Sequence, residues 1–337
     1  MGEDCTVYES VRIMIKAVFL FIIGLVLLIK GGDWFVDGAT GIAKKFNIPD
    51  LLIGATVVSI GTTLPEVMVS SNAAISGQGA IAYGNALGSI ICNTALISAI
   101  TIAVKPGLVE KKSLKTPVIF FFAAAVFYAL TAYVFGFFYR WTGIVLLVAF
   151  GVYIFLLARQ AMEEMKNPKA HEEEPKEEEK VHPTWYNVCS LIAGAAFIAV
   201  GADLLVDNGT IIATILGVPE TVIALTFVAL GTSLPELVTA ITSLAKGHGA
   251  LSLGNVIGAN LFNLVLVSGM SITLNPFKVP ADKLIGGLNA SLVVDIPVVF
   301  AVMLIMTMPG LIKGKLYRWQ GIVLLAIYFS YCIFQFV

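Results

Sequence analysis

The octapeptide Ser59-Ile-Gly-Thr-Thr-Leu-Pro-Glu66 returns 170 residues later as Ala229-Leu-Gly-Thr-Ser-Leu-Pro-Glu236. Each copy lies within a long apolar stretch, so each places a carboxylate where water is scarce. A charged group near the centre of a membrane helix costs at least about 2.5–3.5 kcal/mol. A chain that carries this cost at two matching positions uses the two groups together. The simplest joint use of two buried carboxylates is to hold a divalent cation.

Hydrophobic residues make up 58% of the 337 and charged ones 13%, with a mean hydropathy of +0.91. Soluble domains carry about 25% charged residues, so this composition excludes them. Apolar runs of spanning length recur along the whole chain. They predict ten spans, at about 11–43, 49–76, 79–104, 117–136, 139–159, 185–214, 219–245, 250–274, 284–308 and 316–336. The expected fold class is an all-α polytopic membrane protein. The first and sixth runs are long and carry Gly31-Gly32-Asp33 and Gly201-Ala202-Asp203 partway along, which predicts a strong tilt or an early end. The first run follows an acidic leader (Glu3, Asp4, Glu9) and opens a pattern repeated later, so it reads as a span rather than a signal peptide.

Cys5, Cys92, Cys189 and Cys332 show no metal-ligand spacing, and His171, His182 and His248 are scattered in or beside loops. There is no nucleophile motif, phosphate loop or zinc signature. The sequence therefore predicts no enzyme and no cofactor. A net charge of −1 gives no reason to invoke nucleic acid, no protein partner is implied, and the lipid bilayer is the expected surrounding.

The repeat extends well beyond the octapeptide. At the same offset Gly31-Gly32-Asp33-Trp34-Phe35-Val36-Asp37 pairs with Gly201-Ala202-Asp203-Leu204-Leu205-Val206-Asp207, Pro49 with Pro219, and Gly84-Asn85 with Gly254-Asn255. Farther on, Arg140-Trp-Thr-Gly-Ile-Val-Leu-Leu147 recurs as Arg318-Trp-Gln-Gly-Ile-Val-Leu-Leu325, now offset by 178. Each half holds five spans, and an odd number forces the second half to enter the membrane upside down. The layout is two inverted five-helix repeats, the architecture of many secondary transporters. Residues 1–159 form the first repeat, 160–184 an acidic linker and 185–337 the second.

Lys and Arg placement orients the chain. Fifteen of the 21 basic residues follow odd-numbered spans, from Lys44 and Lys45 to Lys313, Lys315 and Arg318, against five on the other side and Lys30 within the first span. This puts both termini outside a plasma membrane and the linker in the cytoplasm. The run Glu172-Glu-Glu-Pro-Lys-Glu-Glu-Glu179 reads as a solvated connector.

Within the repeated motif, Pro65 and Pro235 each remove a backbone donor and crowd the preceding turn. The second and seventh spans are therefore expected to be broken helices, with carbonyls left free near Ser59 to Thr62 and Ala229 to Thr232. Free carbonyls are hard oxygen ligands suited to Na⁺ and Ca²⁺. Glu66 and Glu236 would follow in the first turn of the next half-helix, whose positive dipole end favours negative charge. Thr62, Thr63, Thr232 and Ser233 add hydroxyls. In the next span residues 85, 89 and 93 share one helical stripe, matched by Asn255, Ala259 and Asn263. Asn85 and Asn255 either line the site or hydrogen-bond neighbouring helices; Ser89, Asn93 and Asn263 are expected to line it. Asp295 has no counterpart carboxylate and reads as a structural contact. The repeat-matched Asp33, Asp37, Asp203 and Asp207 read the same way.

With its two Gly-Thr-[Ser/Thr]-Leu-Pro-Glu motifs, paired Gly-Asn segments and inverted layout, the chain resembles the sodium/calcium exchangers of the cation/calcium antiporter superfamily, particularly the short prokaryotic type. The resemblance implies Na⁺/Ca²⁺ antiport by alternating access, with Ca²⁺ and Na⁺ as the transported ions. It implies a Ca²⁺ site of Glu66, Glu236 and the backbone oxygens of Thr62 and Thr232, flanked by Na⁺ sites sharing the glutamates. One set would use Ala229, Thr232, Ser233 and Ser89. The opposite set would use Ser59, Thr63 and Ala259, where Ala, Ser and Ser are more familiar, and Asn263 replaces an acid found in some relatives. The resemblance also implies three Na⁺ per Ca²⁺, and sliding of the long first and sixth spans against the other eight.

Two other readings fit parts of this pattern. One is H⁺/Ca²⁺ exchange on the same fold, with protons on the two glutamates. Proton-coupled relatives, however, place their acid in the Gly-Asn segment, where this chain has Ser89 and Ala259. The other is a cation channel, against which the inverted repeats and the two-carboxylate site both speak.

Overall fold

The computed structural model describes residues 2–46, 48–166, 182–216, 231–281 and 283–336. Among them are ten helices: α1 (Gly2–Phe46), α2 (Asp50–Ile75), α3 (Gly79–Val104), α4 (Lys111–Phe135), α5 (Arg140–Lys166), α6 (Thr184–Ile215), α7 (Leu234–Ala245), α8 (Gly249–Leu274), α9 (Ser291–Lys313) and α10 (Arg318–Phe336). Eight of these are long and apolar enough to cross a membrane. The seventh expected span is described only from Gly231. The tenth, α10, has 19 residues, about 28 Å at 1.5 Å per residue.

The repeat is visible in the connections. Each Glu-bearing helix ends on a left-handed glycine, Gly77 (φ 77°) after α2 and Gly247 (φ 85°) after α7. The following N–H groups fold back identically, Gln78 to the Ala73 carbonyl at 2.8 Å and His248 to Ser243 at 2.7 Å. This is the Schellman ending, which satisfies last-turn carbonyls. Gly136 and Gly314 end α4 and α9 in the same left-handed way. The chain then pairs across the repeats: β1 (Phe137–Phe138) meets β2 (Phe277–Lys278), and Leu108 bridges Lys315.

Helix contacts obey the same two-fold. A Cβ on Gly24 would meet the Gly201 backbone at 2.9 Å, and one on Gly194 the Gly31 carbonyl at 2.8 Å. Position 24 corresponds to 194 and 31 to 201, so these are one contact seen twice across an antiparallel pair. The glycines let α1 and α6 touch backbone to backbone. Likewise Arg140 donates to the Leu274 carbonyl at 3.5 Å and Arg318 to Ala103 at 2.8 Å. Thus α5 packs on the end of α8, and α10 on the end of α3.

The buried core has two main parts. Leu28, Phe35, Val36, Ala39, Ile198 and Ala202 form a cluster along the α1–α6 pair, joined by Ile53, Val58 and Leu251 from the neighbouring helices. A larger cluster unites α2 to α5 and α7 to α10.

Three expectations are corrected. First, of the tilt or early end expected for the two long spans, the early end is ruled out: α1 and α6 run through their polar stretches, where Gly31 packs against Gly194 and Ile198. Second, α2 is not broken at Pro65, which lies inside continuous helix from Ser59 to Ile75. The distortion is instead a wide π-helical turn upstream, Gly54–Val58. In the second repeat a turn at 232–233 does precede the helix, which starts at Leu234 with Pro235 in its first turn, where a missing N–H matters little. Third, the ninth span begins at Ser291. The apolar residues before it form a hairpin, β3 (Leu284–Ile285) with β4 (Leu288–Asn289), turned by Gly286 and Gly287 at positive φ.

Candidate ion-binding site

Glu66 and Glu236 are both fully buried, and each lies within electrostatic reach of the other. The first sits one residue after Pro65 in α2, the second one residue after Pro235 in the first turn of α7. Around them the two repeats interlock. The Thr62 hydroxyl donates to Asn255 Oδ1 at 3.2 Å, and its counterpart Thr232 donates to Asn85 Oδ1 at 3.4 Å. Each Glu-bearing segment is thus tied to the Gly-Asn helix of the opposite repeat. Asn85 also donates to Ser70 Oγ at 2.8 Å and to the Glu66 carbonyl at 3.3 Å. Asn85 and Asn255 therefore join the site through hydrogen bonds that the stripe pattern left open.

The remaining expected residues fall as follows. Thr63 donates to Glu236 Oε1 at 3.5 Å, and Ser89 faces Glu66. Ser233 is buried in the turn before α7. Asn93 and Asn263 are fully buried and each opens a π-helical turn, Asn93–Ser98 and Asn263–Val267. Ala259 is fully buried one turn beyond Asn255. The Ser59 hydroxyl is committed to structure: its one hydrogen is shared between the Gly54 carbonyl at 2.7 Å and the Asn255 carbonyl at 2.9 Å. Ala229 lies outside the described residues. Asp295 accepts from Tyr331 at 3.1 Å and Gln335 at 3.2 Å, the structural contact its sequence position suggested.

Several buried hydroxyls and amides of the bundle lack partners, but here carboxylate oxygens are among them. Neither oxygen of Glu66 has a hydrogen-bond partner, nor do Glu236 Oε2, Ser233 Oγ, or the amide groups of Asn93 and Asn263. Buried polar groups are nearly always paired, and each orphan costs about 1–3 kcal/mol. Such a concentration of orphaned oxygens about two carboxylates suits a cation. Among the described residues no three His, Cys, Asp or Glu gather anywhere, so this centre offers two carboxylates and otherwise neutral groups. Two carboxylates match a double positive charge, and the neutral oxygens supply the rest of a shell of about 6–8 ligands.

Two cavities reach this centre. One of about 590 Å³ runs between α6 and the Glu-bearing segments, touching Thr62, Thr232, Asp203 and Asp207. Another of about 380 Å³ lies against α10 and touches Asn85, Ser89 and Thr232.

Known proteins share this architecture. The family described as sodium/calcium exchanger protein matches residues 16–159 and 186–337. The chain is 36% identical to an uncharacterized membrane protein of Methanocaldococcus jannaschii, over 94% of this chain and 96% of that one. It is 32% identical to the sodium/calcium exchanger MaX1 of Methanosarcina acetivorans, over 96% of this chain and 99% of that one. The solved structure of the sodium-calcium exchanger NCX_Mj superposes with a TM-score of 0.77 at 32% identity, covering 94% of this chain and 98% of that one. Matched along both repeats and carrying two buried carboxylates at their junction, the chain belongs to the sodium/calcium exchanger family, whose members are membrane antiporters and not enzymes.

Proposed function

We propose that this protein exchanges Na⁺ for Ca²⁺ by alternating access and normally expels Ca²⁺. The observation that carries the reading is the pair of fully buried carboxylates, Glu66 and Glu236, set among orphaned neutral oxygens. Ca²⁺ is held by both glutamates with the carbonyls of Thr62 and Thr232. Na⁺ ions use the same glutamates with Ser59, Thr63, Ser89, Asn93, Ala229, Ser233, Ala259 and Asn263. For Ser59 the ligand is its carbonyl, since its hydroxyl already bonds α8. Two glutamates neutralise one Ca²⁺, and the same oxygens cannot also hold a full Na⁺ set, so competition couples the fluxes. The similar exchanger NCX_Mj was soaked with Na⁺ and with Sr²⁺, a divalent cation of the same hard-oxygen class.

The basic residues orient the protein in the plasma membrane with both termini outside and the linker, 160–184, cytoplasmic between the repeats 1–159 and 185–337. The test is ⁴⁵Ca²⁺ uptake into Na⁺-loaded proteoliposomes diluted into Na⁺-free buffer, with pH clamped by an ionophore. Uptake that requires internal Na⁺ is the expected result. Uptake that follows an imposed pH gradient without Na⁺ establishes H⁺/Ca²⁺ exchange instead.

Two further outcomes follow from the site. Three Na⁺ against one Ca²⁺ moves one net charge, about 2.3 kcal/mol per 100 mV. A clamped membrane potential is therefore expected to change the uptake rate, and uptake indifferent to voltage rejects that stoichiometry. Ala259→Ser restores a hydroxyl on the side where this chain departs from its relatives. It is expected to shift Na⁺ activation with Ca²⁺ affinity little changed, and an identical Na⁺ curve removes Ala259 from the Na⁺ path.

A further inference from the structure

The two repeats match closely, yet their ends are charged differently. Asp33 and Asp37 on α1 correspond to Asp203 and Asp207 on α6. Lys246, in the turn after α7, reaches the first pair: its Nζ lies 2.7 Å from Asp37 Oδ1, 3.4 Å from Asp33 Oδ1 and 3.1 Å from the Asp33 carbonyl. In the same turn His248 Nδ1 meets Asp50 Oδ2 at 2.8 Å. The position corresponding to Lys246 in the first repeat is Ser76, and that of His248 is Gln78. Among the described residues Asp203 and Asp207 have no ion pair.

The cavities follow this asymmetry. On the Asp203/Asp207 side the 590 Å³ cavity reaches Thr62 and Thr232. On the Lys246 side a cavity of about 730 Å³, walled by Trp34, Asp37, Lys44, Tyr186, Lys246 and His248 among others, touches none of the site residues. The closed side is therefore the one where α1 is tied to the Glu236 helix. The α1–α6 pair is otherwise built mainly on itself, with its own buried cluster, so few contacts compete with this tie.

We infer that Lys246 is a positioning residue: by ion-pairing α1 to the turn after α7, it biases the exchanger toward the state open on the Asp203/Asp207 side. This rests on the alternating-access reading. On the orientation proposed above, that state faces outward and the tie is cytoplasmic. The apparent affinity on the disfavoured side falls with the fraction of protein facing it, so Lys246 is also a determinant of sided affinity.

The test uses the full-length protein in nanodiscs without Na⁺ or Ca²⁺. Spin labels are placed at Lys45→Cys and Leu108→Cys, exposed positions on the Lys246 side, with the native cysteines replaced. Lys246→Gln is expected to enlarge a second distance population about 1.5- to fivefold, the range for a partly exposed ion pair. The conservative Lys246→Arg keeps a cation facing both Asp33 and Asp37 and is expected to hold the starting value. Unchanged distances in Lys246→Gln, or a Lys246→Arg protein shifted as far as Lys246→Gln, overturn the inference. Because no transport is needed, this failure is distinct from failure of Na⁺-driven uptake in the wild-type protein. In sided flux assays Lys246→Gln is expected to lower the cytoplasmic KM for Ca²⁺ and raise the outer one; KM values unchanged on both sides again reject the role.

Discussion

Glu66→Gln and Glu236→Gln are each expected to abolish Ca²⁺ transport while leaving a folded protein. The amide keeps the shape of the side chain and removes the charge. A carboxylate about 4 Å from a single positive charge contributes about 4 kcal/mol at an effective dielectric of about 20, and Ca²⁺ carries two. Loss of either glutamate should therefore weaken Ca²⁺ binding by at least about a thousandfold. Stability moves the other way. Both carboxylates are fully buried, and three of their four oxygens lack a hydrogen-bond partner. Removing one uncompensated buried charge relieves that penalty, so the Tm of the ion-free variants should equal or exceed that of wild type. Proteoliposome uptake and thermal unfolding of the same preparations check both parts. Robust transport by either variant removes that glutamate from the site.

The large pattern was legible because it is written twice. The octapeptides, the paired Gly-Asn segments and the matched Arg-Trp-x-Gly stretches place the two carboxylates in equivalent elements, and the structure brings those elements together. The local backbone was less legible. A π-helical turn inserts extra backbone without changing which residues are apolar, so nothing at Gly54–Val58 or Asn93–Ser98 announces one. Pro65 predicts a break, but the helix runs on through it from Ser59 to Ile75, so a single missing donor there is tolerated. Hydropathy ran the ninth span through Leu284-Ile285-Gly286-Gly287-Leu288, because a hairpin of apolar residues reads like helix until both glycines take positive φ. The Lys246 ion pairs join residues more than 200 positions apart, and no local period encodes them.

Gly254→Val is expected to cost the protein its fold, and Gly254→Ala its ion site. A Cβ at position 254 would clash with the Leu51 carbonyl oxygen, and one at Gly54 with the Leu251 carbonyl. Gly258 continues the same seam, where a Cβ would meet the Ser59 hydroxyl and lie 2.7 Å from Ala55 Cα. The contacts at Gly54 and Gly254 are backbone against backbone, so no side-chain rotation relieves them, and α8 must move off α2. Overpacking of this kind costs about 1–3 kcal/mol for a modest insertion and more for a larger one. The same displacement pulls Asn255 from Ser59 and Thr62, the hydrogen bonds that hold the Glu66 segment against the opposite repeat. Gly254→Ala should therefore remain monodisperse with a lowered Tm and lose Ca²⁺ binding out of proportion to that loss, whereas Gly254→Val should aggregate on extraction. Gly151→Ala is the control: that glycine is exposed, and an added Cβ meets nothing within 4 Å. Size-exclusion profiles, thermal unfolding and ⁴⁵Ca²⁺ binding on the three variants test the seam. Wild-type binding by a stable Gly254→Ala protein would show that the site does not depend on the close approach of α8 to α2.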